Sequence, residues 1–296
     1  MLPSIAMSNW LVIPGWLLSV ATAIGNGFVV FLVTKNRCLH SSANWFILSL
    51  AVADFGVGIA VFPSSYFCND SMACNFRVYM AFFWFLLHSS VTNLCTLTWD
   101  RYMAIVHPFR YHHSLTKRRP GTVILIAWLI PFAIALSLLV GIYATQSKTV
   151  LKVLRATGVS AFDIICSALL LYAVVRIFVV ARTKWRQESA IERQVEFSFA
   201  SYPSAGSRVA ISRRRKKYSP APLIIALVVF FLICYSVVNY LVLCITFSCL
   251  LSDSTSAGQI LHLLLVLNSA VNPLVYAFLK RDIRRQIKLM FIYTEH

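Results

Sequence analysis

Residues 122–143 read TVILIAWLIPFAIALSLLVGIY, a stretch of mostly apolar side chains that no charged residue interrupts. A helix of about 20 such residues is long enough to cross the hydrocarbon core of a bilayer. The whole chain has the same character, because 59% of its 296 residues are hydrophobic and only 12% are charged. A soluble domain typically carries roughly 25% charged residues. The stretch therefore predicts a membrane-spanning helix.

Six further apolar segments have a similar length, although ionisable residues interrupt the third and the fifth span. The seven predicted spans are Trp10–Thr34, Ala43–Tyr66, Arg77–Ile105, Thr122–Tyr143, Gly158–Ala181, Pro222–Thr246 and Gly258–Leu279. We predict an all-α membrane protein, a seven-transmembrane helix bundle with a short amphipathic eighth helix. Residues 1–9 would form the N-terminus, residues 10–279 the bundle, and residues 280–296 the amphipathic helix and a short tail.

The positive charges lie between the spans and predict the orientation of the chain. Most of the 27 Lys and Arg residues fall on one side, and the other side holds only Arg77, Lys148, Lys152 and Arg155. Because basic residues near a span resist translocation, the N-terminus is expected outside and the C-terminus in the cytoplasm. The longest polar stretch, residues 182–219, is predicted to be a mobile third cytoplasmic loop. We predict a multi-pass protein of the plasma membrane.

The net charge of +17 does not by itself indicate a nucleic-acid partner. The positive charges form no patch that alternates with exposed aromatic residues, as a nucleic-acid surface would require. We therefore predict the lipid bilayer, and not nucleic acid, as the partner of these charges. The chain also contains no His-Glu-x-x-His motif and no glycine-rich phosphate loop, so an enzyme is not predicted.

Several short motifs occur inside the spans in a fixed order. They are Gly25-Asn26 in the first span, Ser49-Leu50-Ala51-Val52-Ala53-Asp54 in the second, Asp100-Arg101-Tyr102 at the end of the third, Trp128 with Pro131 in the fourth, and Asn272-Pro273-Leu274-Val275-Tyr276 in the seventh. In this order the chain resembles the rhodopsin-like (class A) G-protein-coupled receptors from the first span to the tail. The resemblance implies a receptor that transmits binding of an extracellular ligand to heterotrimeric G proteins through a rearrangement of its helices.

The resemblance implies an activation switch near the cytoplasmic ends of the spans. An arginine in low dielectric needs a partner, and Asp100 can pair with Arg101 until the helices part and Arg101 meets the G protein. Tyr276 and Tyr172 look like the two tyrosines that reach this arginine through water in active relatives, with ordinary core packing as the alternative. The predicted switch residues are Asp100, Arg101, Tyr102, Tyr172, Tyr235, Asn272, Pro273 and Tyr276.

Polar residues in the middle of the spans predict a second site. An ionisable side chain in the hydrocarbon region costs about 2.5–3.5 kcal/mol on insertion scales, so each one is a candidate functional group. We expect Asn26, Asp54, Ser90, Asn268 and Asn272 to form a network of polar side chains and water. The resemblance implies an allosteric sodium ion at Asp54; the alternative is that Asp54 is only a hydrogen-bonded structural acid. No other metal and no cofactor is predicted.

The predicted ligand pocket is mostly aromatic and apolar. Amine receptors place an aspartate where this chain has Phe83, and opsins place a lysine where it has Val266, so neither the usual monoamine mode nor a retinal Schiff base is expected. The predicted pocket residues are Phe83, Trp84, Leu87, His88, Asp163, Tyr235, Asn239, His262 and Val266. They suit a small, largely apolar ligand with one or two polar groups; contact with a lipid or a small peptide is the alternative.

The sixth span departs from the family pattern. Tyr235 stands where relatives have a tryptophan, and Val237 stands where they have a proline that bends the helix. A ligand-binding receptor with weak or no G-protein coupling is therefore an alternative. A transporter or channel is less favoured, because the buried polar residues do not line a continuous path.

Most rhodopsin-like receptors have a disulfide between the outer end of the third span and the second outer loop. In this chain that loop, residues 144–157, contains no cysteine, so the outer disulfide is expected to differ. Cys74 could pair with Cys68, or with Cys249 or Cys244, or all of these could stay reduced. The sequon at Asn69 falls in the same outer loop and predicts a glycosylation site.

Overall fold

The computed structural model describes residues 9–70, 74–115, 120–145, 147–200, 221–247 and 254–293. Within these ranges seven helices are long and apolar enough to cross a membrane, namely α1 (Asn9–Lys35), α2 (Ser42–Asp70), α3 (Phe76–Val106), α5 (Pro120–Ala144), α7 (Phe162–Ala200), α8 (Ala221–Phe247) and α9 (Ser254–Leu279). Three shorter helices are α4 (Pro108–Leu115), α6 (Lys148–Arg155) and α10 (Arg281–Tyr293), and Ala156–Ala161 form a π-helical turn. The predicted seven-helix bundle with a further helix after it is confirmed.

The centre of the bundle is α3, which packs against α2, α5, α7 and α8. The helix α1 packs against α2 and α9, and α9 also contacts α8 and α2. One end of the bundle carries a disulfide between Cys68 and Cys74 and is called the disulfide end below. The opposite end, where Arg101 and Lys280 lie, is called the basic end.

The distribution of polar and apolar side chains is the reverse of that in a soluble protein. Ile13, Leu169 and Ile233 are each more than 60% exposed, whereas Asp54 and Asn93 are fully buried. Exposed apolar side chains suit a lipid solvent, and buried polar ones can then be satisfied only by other groups of the protein. The bundle is therefore built to sit in a bilayer.

Hydrogen bonds between helices replace part of the apolar driving force that lipid removes. Ser49 Oγ donates to Asn93 Oδ1 at 2.6 Å, and Trp128 Nε1 donates to Ser49 Oγ at 3.0 Å. Thr92 Oγ1 donates to the carbonyl oxygen of Ala127 at 2.7 Å. These bonds tie α2, α3 and α5 together near the centre of the bundle.

The helix α7 is longer than the sequence analysis predicted. Residues 182–200, which we assigned to a mobile loop, continue α7 as a helix, so that part of the loop assignment is wrong. No glycine or proline occurs between Gly158 and Pro203, and the extension is rich in Arg, Gln, Glu and Ala, which are good helix formers. The remainder of the predicted loop lies outside the described residues.

At the disulfide end, Cys68 and Cys74 form the first of the pairings that we considered. Their Cα atoms are 5.2 Å apart, across a loop that joins α2 to α3. Cys244 is buried and free, and Cys249 lies outside the described residues. The predicted glycosylation site, Asn69, falls in the last turn of α2, but its side chain is not among the described parts of the chain.

Gly58 marks the closest approach of α1 and α2. A Cβ atom added at this position would lie 2.7 Å from the backbone nitrogen of Ala23 and 3.1 Å from its Cα atom. Ser19 Oγ also donates a hydrogen bond to the carbonyl oxygen of Gly58. Small residues allow such close packing of membrane helices, and here the contact is with backbone that cannot rotate away.

The substitution Gly58→Ala is expected to lower the melting temperature of the detergent-solubilised protein. The added methyl group must push α1 away from α2, and overpacking of this kind costs about 1–3 kcal/mol. The matched control is Gly121→Ala, because a Cβ atom there meets nothing within 4 Å. The control should leave the melting temperature unchanged or raise it, and an equal loss in both variants would contradict the prediction.

Candidate functional site

Asp54 lies in α2 and is fully buried. Ser90 Oγ of α3 donates to its Oδ1 atom at 2.6 Å, and Asn272 Nδ2 of α9 donates to its Oδ2 atom at 2.6 Å. The structure thus brings together three of the residues that the sequence analysis assigned to one polar network. A single carboxyl group connects three helices here.

The other two predicted members of this network are placed differently. Asn26 is fully buried, and its Nδ2 atom donates to the carbonyl oxygens of Thr22 at 2.9 Å and Ser269 at 3.1 Å. Asn268 is buried, but no described hydrogen bond joins it to Asp54. Ser269, which the sequence analysis did not single out, is buried and lies near Asp54 instead. The sequence offered one sign of Ser269, namely a hydroxyl side chain one residue after Asn268 and therefore on a different face of α9.

The network offers oxygen atoms of the kind that a hard cation prefers. Asp54 supplies the carboxylate, and the hydroxyl oxygen of Ser90 keeps its lone pairs while its proton is donated. The Oδ1 atom of Asn26 is buried and has no hydrogen-bond partner among the described residues. These donors fit a sodium ion in chemical type, whereas no group of three or more His, Cys, Asp or Glu side chains in the described ranges could hold a metal ion.

At the basic end, Arg101 forms an ion pair with its neighbour Asp100. Arg101 Nη2 lies 2.8 Å from Asp100 Oδ2, although the two atoms are not aligned as a hydrogen bond. Tyr111 of α4 donates its hydroxyl proton to the other carboxylate oxygen of Asp100 at 2.9 Å. The arginine side chain is 17% exposed, so the pair is largely shielded from solvent. Tyr111 was missed by the sequence analysis, because the path of the chain after α3 decides which residue returns to Asp100.

Burial and the hydrogen bond to Asp100 make the Tyr111 hydroxyl a weaker acid than an ordinary tyrosine. Burial, reinforced by the negative charge of Asp100 and by the bond to it, raises the pKa of the Tyr111 phenol to about 12. A phenol that holds its proton this firmly donates to Asp100 at every physiological pH. The bond from α4 therefore helps to hold the carboxylate on which Arg101 rests.

No described hydrogen bond joins the predicted switch tyrosines, Tyr276 and Tyr172, to Arg101. Tyr276 of α9 is fully buried, and its hydroxyl has no hydrogen-bond partner among the described residues. Tyr172 is 58% exposed on the outer face of α7, and its ring centroid lies 6.2 Å from that of Tyr102. Tyr102 is buried and also stacks on Trp99. The rotation of α7 about its axis, which sequence does not reveal, turns Tyr172 away from the interior.

Lys280 links the start of α10 to α2 at the same end of the bundle. Its Nζ atom donates to Asn44 Oδ1, and Asn44 Nδ2 in turn donates to the carbonyl oxygen of Leu39 at 2.7 Å. Burial, together with the positive charge of Arg101, lowers the pKa of the Lys280 ammonium group from 10.5 to about 8. Two cations thus lie close enough to repel each other, and the carboxylates of Asp282 and Asp100 offset only part of this repulsion.

A chain of aromatic contacts links several of the predicted pocket residues toward the disulfide end. The ring of Phe83 lies 5.0 Å from His262 of α9 and 5.2 Å from Trp84. Trp84 stacks on His88 at 5.6 Å, and Phe162 of α7 lies 4.7 Å from His88. The structure therefore brings four predicted pocket residues together across two helices. Phe162, the residue before Asp163, is a member of the wall that the sequence analysis missed.

His88 and Asp163 face each other between α3 and α7. Both side chains are fully buried, and His88 Nε2 lies 3.7 Å from Asp163 Oδ1, which is beyond hydrogen-bond distance. Neither ring nitrogen of His88 and neither carboxylate oxygen of Asp163 has a hydrogen-bond partner among the described residues. These two predicted residues are together but unsatisfied.

The remaining predicted pocket residues are buried, and none of their side-chain polar atoms is among the buried atoms without a hydrogen-bond partner in the described residues. Tyr235 stacks on Phe231 at 4.2 Å, and Asn239 Nδ2 donates to the carbonyl oxygen of Tyr235 at 2.9 Å, within α8. Leu87 and Val266 are buried, each with 1% exposure. Asn239 thus serves its own helix in this structure, which is the structural role that an isolated buried amide most often has.

The sixth spanning helix, α8, contains no internal proline, and Val237 is 42% exposed at the position where the related receptors have one. Tyr235 is instead almost fully buried and faces the interior. The side chain that replaces the family tryptophan therefore keeps the interior position. The bend that proline would introduce is not encoded.

Comparisons with known proteins give one family. The family described as "7 transmembrane receptor (rhodopsin family)" matches residues 25–276. The chain is 29% identical to the adenosine receptor A2a of Cavia porcellus, over 92% of this chain and 70% of that receptor. It is 29% identical to the trace amine-associated receptor 8c of Mus musculus, over 92% of this chain and 83% of that receptor. It is 26% identical to the alpha-1D adrenergic receptor of Rattus norvegicus, over 90% of this chain and 54% of that receptor.

We expect the Lys280 ammonium group to titrate near pH 8, because burial and Arg101 both disfavour its charged form. The measurement is an NMR pH titration of the solubilised protein after ¹³C-methylation of its lysines, with Lys280→Arg used to assign the signal. Between about pH 8 and 10.5 the unfolded chain binds more protons at this site than the folded one. This site therefore adds stability as the pH rises through that interval.

The control for this titration separates burial from charge. Arg101→Leu should move the midpoint of Lys280 upward, because it removes a neighbouring positive charge, whereas Arg284→Leu on the exposed face of α10 should not. A midpoint near 10.5 in the unsubstituted protein would show that the predicted burial of Lys280 is wrong.

Proposed function

Since this chain belongs to the rhodopsin family of seven-transmembrane receptors and is a G-protein-coupled receptor, we propose that a small extracellular ligand activates it by freeing Arg101 from Asp100. The ligand enters from the disulfide end and binds against the aromatic wall of α3, α7 and α9. Rearrangement of the helices then opens the basic end to a heterotrimeric G protein. The protein acts as a transducer and not as an enzyme.

The observation that carries the proposal is the shielded Asp100–Arg101 ion pair. Arg101 Nη2 and Asp100 Oδ2 are 2.8 Å apart, and Tyr111 donates a hydrogen bond to the same carboxylate from a separate helix. A charge-assisted contact of this kind is stable while it is shielded, and is exchanged for another anionic or carbonyl partner when its surroundings open. Arg101 is therefore a cation held ready at the surface where a cytoplasmic partner would bind.

The proposed orientation places the disulfide end outside the cell and the basic end in the cytoplasm, in the plasma membrane. A disulfide persists in an oxidising compartment, which supports the position of Cys68 and Cys74 outside. Helix α10 presents Arg281, Arg284, Arg285 and Lys288 as exposed cations, while Ile283 is buried against the bundle. Such a helix suits the anionic inner leaflet of a plasma membrane.

The proposed ligand is small and largely apolar, with one or two polar groups. Phe83, Trp84 and Phe162 supply apolar ring surface, and His88 and Asp163 supply polar atoms. Similarity to receptors named for adenosine and for trace amines supports a small-molecule ligand in general. The disulfide end, rather than the lipid-facing side, is the proposed route of entry.

We also propose that a sodium ion binds at Asp54 and stabilises the inactive arrangement. The carboxylate of Asp54 and the hydroxyl oxygen of Ser90 would hold it, with the amide oxygen of Asn26 close by in the same network. A bound cation would supply positive charge to a carboxylate that is otherwise held by hydrogen bonds alone.

A second candidate function is a receptor that binds ligand but couples weakly to G proteins. The observation in its favour is that α8 has no internal proline to bend it. Val237 stands where the family pattern has proline, and Tyr235 stacks on Phe231. An outward swing of this helix then lacks the flexible point that a proline supplies.

Arg101→Ala is expected to abolish ligand-driven guanine-nucleotide exchange and to change basal exchange. The arginine is the group that leaves Asp100 to meet the G protein in the proposed mechanism. The measurement is G-protein activation by the expressed receptor against a library of small molecules, with surface expression matched. Arg77→Ala, at the other end of α3, is the matched control and should keep full exchange. Unchanged basal and ligand-driven exchange in Arg101→Ala would disprove the mechanism.

Asp54→Asn is expected to remove a stabilising effect of sodium on the purified receptor. Sodium chloride should raise the melting temperature of the unsubstituted protein above its value in choline chloride of equal ionic strength, because an ion that binds only the folded state stabilises it. Asp282→Asn, an exposed acid on α10, should keep the sodium effect. The same sodium-dependent shift in Asp54→Asn would place the ion elsewhere.

A further inference from the structure

We propose that the ligand of this receptor carries a positively charged nitrogen, and that Asp163 of α7 binds this nitrogen with assistance from His88 of α3. The inference rests on the proposed function, since it names the chemical class of the ligand for the same pocket. The carboxylate comes from the fifth spanning helix and not from the third, where amine receptors carry theirs.

The first observation is the lack of partners for this pair. Asp163 and His88 are both fully buried, and four polar atoms, two on each side chain, have no hydrogen-bond partner among the described residues. Leaving a buried polar atom unsatisfied costs free energy, and buried polar groups in native proteins are nearly always bonded. Four such atoms in one place indicate that something outside the chain satisfies them.

The second observation is the geometry between the two side chains. His88 Nε2 and Asp163 Oδ1 are 3.7 Å apart, too far for a hydrogen bond and too close for a water molecule in line between them. A third group can therefore reach both only from the side. An ionised carboxylate accepts hydrogen bonds at both oxygens and donates none, so a group that binds Asp163 in its ionised form is a donor. Charged nitrogen donors form the strongest such bonds, and an ammonium or amidinium group also neutralises the buried acid.

The third observation is the aromatic surface beside the pair. Trp84 stacks on the His88 ring at 5.6 Å, and the ring of Phe162 lies 4.7 Å from it. Aromatic faces attract cations, so the same wall that suits an apolar ligand body also suits a positively charged end. A neutral ligand would gain only the apolar contact.

The position that holds the amine in the related amine receptors is closed in this chain. Phe83 is 2% exposed, and its ring packs against His262 and Trp84. It offers neither charge nor a free polar atom. Asp163 is thus the buried carboxylate in the pocket region that remains for a cationic group, because Asp54 is already bonded by Ser90 and Asn272.

The test uses the purified full chain in detergent and measures its melting temperature with pairs of probes. Each pair joins an amine, protonated at neutral pH, to its uncharged alcohol: 2-phenylethylamine with 2-phenylethanol, and tryptamine with tryptophol. At least one amine is expected to raise the melting temperature while its alcohol does not, because a ligand that binds the folded state stabilises it. If no amine exceeds its alcohol, the proposal is overturned.

The deciding variant is Asp163→Asn, which keeps the size of the side chain and removes its charge. The affinity for the amine should fall by at least about 30-fold, the lower range for truncating one partner of a buried charge pair. Without ligand, this variant should melt at the same temperature as the unsubstituted protein or above it, because the acid has no hydrogen bond to lose among the described residues. A lower melting temperature without ligand, or an undiminished amine effect, would show that Asp163 is structural. Asp282→Asn is the matched control and should behave like the unsubstituted protein.

A second variant keeps the proposal testable if Asp163→Asn does not reach the membrane. His88→Gln leaves the carboxylate in place, so the amine should still stabilise the protein more than the alcohol does, with a smaller shift than before. Equal effects of amine and alcohol in this variant, with the amine effect intact in the unsubstituted protein, would assign the binding to His88 and overturn the role of Asp163.

The melting assay needs no G protein and therefore separates this inference from the proposed function. Arg101→Ala should keep the stabilisation by the amine and lose nucleotide exchange. If exchange is absent from the unsubstituted receptor while the amine effect holds and depends on Asp163, the coupling fails and the ligand class stands. If exchange depends on Arg101 but no amine is bound, the ligand class fails alone.

Discussion

Lipid cannot satisfy a buried hydrogen-bonding group, and this constraint governs the interior of the bundle. Asp54 shows how the constraint is met, since Ser90 and Asn272 each donate to one of its oxygens at 2.6 Å. The bonds join α2, α3 and α9, so one acid fixes how three helices approach each other. A change in any of the three helices must alter these bonds. The middle of the bundle is therefore the place where these three helices are held together through one side chain.

The departures from this constraint lie on either side of Asp54 and are functionally informative. Toward the disulfide end, His88 and Asp163 face each other without a described partner. Toward the basic end, the hydroxyl of Tyr276 is buried without one, and Arg101 contacts Asp100 out of hydrogen-bond alignment. Unsatisfied groups of this kind are costly unless a second state or a ligand satisfies them. A bundle held firmly in the middle and incompletely satisfied toward both ends is suited to exchanging partners on activation.

The basic end also shows how neighbouring cations are balanced by hydrogen bonds as well as by carboxylates. Arg101 and Lys280 share the vicinity of Asp100, and burial with mutual repulsion lowers the pKa of Lys280 to about 8. Two uncharged side chains take part: Tyr111 of α4 donates to Asp100, and Asn44 of α2 accepts from Lys280. An excess of positive charge is thereby stored at the surface that we assign to the G protein. An anionic or carbonyl-rich partner would relieve it.

The sequence by itself determined the seven spans, the receptor family and the pairing of Asp100 with Arg101, because these depend on composition, fixed motifs and adjacency. Tertiary structure alone decided that Ser90 and Asn272 bond Asp54, that Tyr172 faces outward, and that residues 182–200 continue a helix. It also decided that His88 meets Asp163 and that Tyr111 returns to Asp100. Successive residues of a helix point about 100° apart, so a small rotation of a packed helix exchanges one neighbour for the next. In a span that is apolar on nearly every face, no sequence pattern records that rotation, and only the packing of the other helices sets it.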